Sequence, residues 1–123
     1  MIEQRMRLEG SRGEREVTAL FDSGASVSCI RPDVAREIAD PVRLPKPLDI
    51  WLGETKAHLK EVHERVPLDF YIGEHRFFGD FYLVLGLVDE VVIGAATMRQ
   101  WRFKLDFDRE EVILDPSVER MRI

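Results

Sequence analysis

One aspartate closes an apolar run and is followed at once by small residues, in the stretch Ala19-Leu20-Phe21-Asp22-Ser23-Gly24-Ala25-Ser26-Val27-Ser28. A carboxylate works as a general acid or base when it is held in place and partly shielded from water, and apolar flanks with a sharp small-residue turn supply both. Asp22 is therefore expected at the tip of a turn leaving a buried strand, where burial makes the ionised form expensive. Asp, Ser and Gly are also the residues of ordinary turns. This turn differs in its setting, between two apolar strands, and in being matched later by Val91-Val92-Ile93-Gly94-Ala95-Ala96-Thr97, which also leaves an apolar run through small residues.

Other reactive side chains fit a site less well. Cys29 is the single cysteine, so no intrachain disulfide forms, and Val27-Ser28-Cys29-Ile30 reads as the setting of a buried, inert thiol. Ser23, Ser26 and Ser28 crowd Asp22, but no histidine is near in sequence and the nucleophile-elbow pattern is absent. His58, His63 and His75 lack paired-ligand spacing, and Lys60, Glu61 and Glu64 place the first two on a solvated face. No metal and no cofactor are expected. Asp106-Phe107-Asp108 and Glu110-Glu111 read as turn and surface charge.

The elements that position Asp22 follow from the hydrophobic pattern. Ile2 to Glu9 alternates with Ile2, Met6 and Leu8 on one side, Gly10-Ser11-Arg12-Gly13 turns, and Glu16 to Phe21 returns, so a hairpin delivers Asp22 to its end. Val27 to Ile30 reads as a short strand, and Pro32 opens a helix carrying Val34, Ala35, Ile38 and Ala39. Pro41, Pro45 and Pro47 impose an extended connection to a strand over Leu48 to Leu52, a hairpin tip at Gly53-Glu54-Thr55, and a long return over Ala57 to Ile72 in which Pro67 marks an edge or irregular position. Gly73-Glu74 turns into Phe77 to Leu85, and the strand at Val91 leads to a short helix over Met98 to Trp101. Phe103 to Phe107, a turn at Asp108-Arg109-Glu110, Val112 to Leu114 and a last strand over Val118 to Ile123 complete a mainly β chain.

With 123 residues, 45% hydrophobic and 33% charged, the chain is expected to be one folded domain spanning 1–123. A net charge of -5, with both signs interspersed, presents no basic face for nucleic acid. No apolar run is long enough to span a bilayer and no signal-peptide core follows Met1, so a cytoplasmic protein with no membrane partner is expected.

Taken in order, the motifs resemble those of the retropepsin-like aspartic peptidases, over nearly the whole chain. Three features carry the resemblance: Asp22-Ser23-Gly24-Ala25, the hairpin around Gly53, and Val92-Ile93-Gly94 leading into a helix, with Phe103-Lys104-Leu105-Asp106-Phe107 similar to the closing strand. The resemblance implies a closed acid-protease-like β-barrel of one lobe, with a flap hairpin and one or two short helices. It implies Asp22 as the catalytic acid, with Ser23, Gly24 and Ala25 supporting it. The flap residues Trp51, Leu52, Gly53 and Glu54 would close over an extended peptide, and Val92, Ile93 and Gly94 would form the second-half turn. Peptide hydrolysis by carboxylates alone requires two of them. This chain has one such motif, with Ile93 standing in the later repeat where the first has Asp22, so the expected enzyme is an aspartic endopeptidase acting as a homodimer. The alternative is a non-catalytic peptide-binding or dimerisation module of the same fold. The chain departs from the retroviral members at Ser26, where they often carry Asp, and at Ala95, where they often carry Arg; small-residue packing is expected to replace that ion pair.

Overall fold

The computed structural model describes residues 1–51 and 59–119 of the chain. Strands β1 (Ile2–Gly10) and β2 (Gly13–Phe21) form an antiparallel hairpin in unbroken register from Ile2↔Phe21 to Gly10↔Gly13. Alternation sorts the two faces: Ile2, Met6, Leu8, Val17, Ala19 and Phe21 are buried, while Arg5–Glu16 (2.7 Å) and Arg7–Glu14 (2.6 Å) pair outside. There follow β3 (Cys29–Ile30), α1 (Pro32–Ile38), β4 (Val42–Trp51), β5 (Leu59–Ile72), β6 (His75–Leu83), β7 (Val91–Ile93), α2 (Ala95–Trp101), β8 (Lys104–Asp106) and β9 (Glu111–Ile113). A 3-10 turn covers Pro116–Glu119.

The strand order is β1-β2-β7-β3-β6-β5-β4, and β5 also pairs with β1, so six strands close into a barrel with β4 attached outside on β5. The mainly β, closed-barrel expectation holds. β5 achieves closure by changing neighbour along its length, pairing with β4 from Leu59 to Arg65 and with β1 from Asp69 to Tyr71. Pro67 sits in the gap between those two pairings, where its missing N–H removes no ladder bond on that side.

Inside the barrel the aromatic rings pack as a cluster. Phe77 lies 4.7 Å from Phe103, 5.3 Å from Trp101 and 5.4 Å from Phe70 between ring centroids. Each such side chain, fully buried, contributes roughly 1.5–3 kcal/mol. α1, opened by Pro32, covers the barrel with Val34, Ala35 and Ile38.

Several boundaries differ from the sequence expectation. The strand expected over Val27 to Ile30 is reduced to Cys29–Ile30, and the loop ahead of it turns its Ala25 and Ser26 carbonyls to the amides that open α2. α2 starts at Ala95 and not at Met98, since Ala95 and Ala96 are good helix formers and Gly94 remains extended at the N-cap. β4 begins at Val42, six residues before the expected Leu48, with a register shift between Arg43 and Leu48 that absorbs Pro45 and Pro47 on an edge strand. The segment expected as a strand from Val118 starts as the 3-10 turn, and residues 120–123 lie outside the described residues. So do the expected flap residues Leu52, Gly53 and Glu54, together with Thr55 of the expected hairpin tip.

Candidate active site

Asp22 is the first residue beyond β2, and a parallel strand fixes it there. β2 runs beside β7 with Phe21 opposite Ile93, and the Asp22 amide donates to the Ile93 carbonyl at 3.0 Å. The turn then folds back on its own acid. The Gly24 amide donates to Asp22 Oδ1 at 2.9 Å, and the Ala25 amide to the Asp22 carbonyl at 3.1 Å. A Cβ on Gly24 would lie 3.2 Å from Oδ1, so glycine gives the amide its close approach.

A second loop locks the first from below. The Ala95 amide donates to the Ala25 carbonyl at 2.7 Å and the Ala96 amide to the Ser26 carbonyl at 3.2 Å. Gly94 is sealed beneath them: a Cβ there would stand 2.5 Å from the Val27 carbonyl carbon and 2.9 Å from the Ala25 carbonyl oxygen. Its amide donates to the hydroxyl of buried Ser28 at 3.0 Å, and that hydroxyl shares a 2.7 Å hydrogen bond with the buried Thr97 hydroxyl. Ser26 and Ala95 thus join the loops through their backbones, and the hydroxyl pair adds what small-residue packing alone would lack. The sequence carried a signal for Ser28: a serine inside an apolar run bound for the interior must find a partner there.

Above the Asp22 turn lies a groove of about 860 Å³. Asp22 and Ala25 line its floor, Ile50 and Trp51 come from the β4 arm, and Leu87 and Val88 form the facing wall. Trp51 is half exposed and therefore available to a ligand, whereas the chain's other tryptophan, Trp101, is buried and donates its indole N–H to the Phe78 carbonyl at 3.0 Å. Val92 borders the groove, and Ile93 is buried in the core.

The facing wall is pinned at both ends. Val84 donates to the Ile30 carbonyl at 3.1 Å, and Arg31 donates its amide to the Glu90 carbonyl at 3.0 Å. The Glu90 carboxylate accepts the Thr18 amide at 3.1 Å and Arg15 at 2.8 Å, tying the wall to the strand that carries Asp22.

One expectation is corrected. Asp22 is exposed in the single chain, not buried, because its turn projects from the strand ends to the open groove, and Ser23 and Gly24 are exposed with it. Cys29 conforms to its expectation: it is 3% exposed, and burial pushes its thiol up to about 11, leaving it protonated and unreactive near neutrality. His63 lies 3.1 Å from Glu61 on an exposed stretch, His58 is outside the described residues, and no three metal-ligating side chains cluster among those described. The Asp106 carboxylate accepts the amides of Asp108 and Arg109 at 3.1 Å each, as a turn residue does.

A closed single-lobe barrel whose acid-bearing turn is bonded to a second glycine turn defines the acid-protease class of architecture. No family model and no curated protein sequence matches the chain. Among solved structures, the retroviral protease-like domain of Ddi1 from Leishmania major aligns with a TM-score of 0.67 at 15% identity, covering 94% of this chain and 90% of that one. The simian foamy virus (mac) protease matches at a TM-score of 0.49 and 16% identity, over 82% of this chain and 98% of that one. The foamy viral protease-reverse transcriptase, solved with an RNA/DNA hybrid, matches at 0.49 and 18%, over 78% of this chain and 11% of that one. The fold is retropepsin-like, as the three motifs implied. No described helix is long and apolar enough to cross a membrane.

Proposed function

We propose that the chain is a single retropepsin-like domain and that two copies form an aspartic endopeptidase, with one Asp22 from each acting on an extended peptide. The supporting observation is the placing of Asp22: a carboxylate oriented by the Gly24 amide, anchored to β7 through its own amide, and exposed on the floor of an 860 Å³ groove. A turn needs no such two-loop support, and a lone exposed carboxylate has no acid partner of its own.

In the dimer the two carboxylates face each other across the two-fold axis and hold one proton between them, because like charges in contact do not both ionise. The ionised one takes a proton from water, whose oxygen attacks the scissile carbonyl carbon while the protonated one donates to the carbonyl oxygen. Collapse of the tetrahedral species breaks the C–N bond as the carboxyl that took water's proton gives it to the leaving nitrogen, while the other carboxylate takes back the hydroxyl proton, so that the pair again holds one proton. Ser23 braces the paired turns, Ala25 borders the substrate, and Val92, Ile93 and Gly94 hold the supporting turn. Trp51, at the end of β4, borders the groove on the side from which a flap would cover the peptide and exclude water.

The test is cleavage of a diverse peptide library from acidic to neutral pH, alongside sedimentation at several concentrations. Wild-type dimer is expected to cleave, and Asp22→Asn to lose at least the ~10²–10⁴-fold typical of a removed general acid–base group. Cleavage that survives in D22N, or that is carried by monomer, overturns the mechanism. Peptide binding without cleavage would instead establish the non-catalytic module.

A further inference from the structure

Lys60 stands in the groove with no role in the chemistry at Asp22. Along β5 the inward positions include Val62, Val66, Leu68, Phe70 and Ile72, all buried, and Lys60 begins this same alternating series. It pairs across the ladder with Ile50 of β4, and both line the groove. Its ammonium nitrogen lies 3.6 Å from where a Cβ on Gly86 would sit, so the side chain spans from the flap arm to the facing wall. Gly86, at φ +80°, leaves the space the ammonium uses.

Lys60 is half-buried and, among the described residues, makes no ion pair or hydrogen bond. The arginines of the outer hairpin face differ: Arg5, Arg7 and Arg15 each hold a carboxylate within 2.8 Å. A half-buried ammonium with no partner among the described residues is completed by an anion brought to it. The other ionisable carboxyl groups lining the groove, Asp22, Asp49 and Asp89, would repel such an anion elsewhere, which confines acceptance to the reach of Lys60.

We propose that Lys60 is a specificity-determining residue that takes the carboxylate of an Asp or Glu side chain at one fixed position of an extended peptide. This rests on the groove being a peptide site. The test uses the full chain carrying Asp22→Asn, so that binding is read without turnover, and fluorescein-labelled peptides with one Glu, Gln or Lys moved through each position. At one position Glu is expected to bind about tenfold more tightly than Gln, about 1.4 kcal/mol. K60M should abolish that preference, K60R should keep it, and K60E should invert it in favour of Lys.

Equal binding of Glu and Gln peptides at every position, or a Glu preference that persists in K60M, overturns the proposal, as does failure to bind any peptide. The wild-type cleavage assay separates the two readings. Cleavage with no acidic preference removes the role of Lys60 and leaves the peptidase. Lys60-dependent binding with no cleavage by wild type removes the peptidase and leaves Lys60.

Discussion

Replacing Gly94 by alanine should damage the molecule far more than one methyl group normally does. The new Cβ would press on the Val27 carbonyl and stand 2.9 Å from the Ala25 carbonyl oxygen, both backbone atoms that cannot swing aside. Over-packing of this kind costs about 1–3 kcal/mol. Relieving it separates the two loops, straining the Gly94–Ser28 and Ala95–Ala25 hydrogen bonds, each worth about 1 kcal/mol net. The sum is about 3–5 kcal/mol, against a total stability of about 6–18 kcal/mol at this length. For a domain of this size that lowers Tm by about 10–25 °C. The assay is thermal unfolding followed by circular dichroism, with Gly13→Ala as the matched control. A Cβ at Gly13 meets nothing within 4 Å, so G13A should melt at or slightly above wild type, within about 1 kcal/mol. G94A melting within a few degrees of G13A would refute the claim that the loops under Asp22 are closed to a single methyl group.

Three further outcomes follow from the same geometry. Ser28→Ala leaves the buried Gly94 amide and Thr97 hydroxyl without their shared partner and should cost about 2–3 kcal/mol in urea unfolding, with Thr97→Val costing less because Ser28 still serves the amide. The Cys29 thiol is raised by burial, so its share of stability is complete below the unfolded pKa, about 8.5, and is lost as pH rises towards about 11; a maleimide should label it at pH 7.5 only at the rate of unfolding. Peptide bound in the groove should shift the emission of half-exposed Trp51 while buried Trp101 supplies a constant background, and Trp51→Phe should abolish the shift.

Local pattern carried most of the fold. Alternation at Ile2, Met6 and Leu8 placed the first hairpin, and Pro67, read as an edge or irregular position, lies where β5 changes neighbours. The hydrogen bonds under Asp22 were harder to read, because they join residues distant in sequence: nothing near Ser28 names Thr97 or the Gly94 amide as its partner. The first amides of α2 illustrate the same difficulty, since Ala95 and Ala96 donate to the Ala25 and Ser26 carbonyls across the molecule. Burial of Asp22 was misjudged because apolar neighbours in sequence report the strand behind the acid, while its exposure is set by what lies over the turn. Lys60 looked like solvated charge beside Glu61 and Glu64; only the strand's register shows that it faces the groove.

The bonds between the two loops also order events in time. Ser28 meets Gly94 and Thr97 across 66 and 69 residues of chain. Contacts of that span form after local hairpins, since the chain entropy of closing a long loop comes first. During synthesis the Asp22 turn therefore emerges early and waits, unsupported, until α2 has left the ribosome. The acid exists from the first strands onward, but its fixed geometry arrives only with Gly94, so a nascent chain carries the motif before it carries the site.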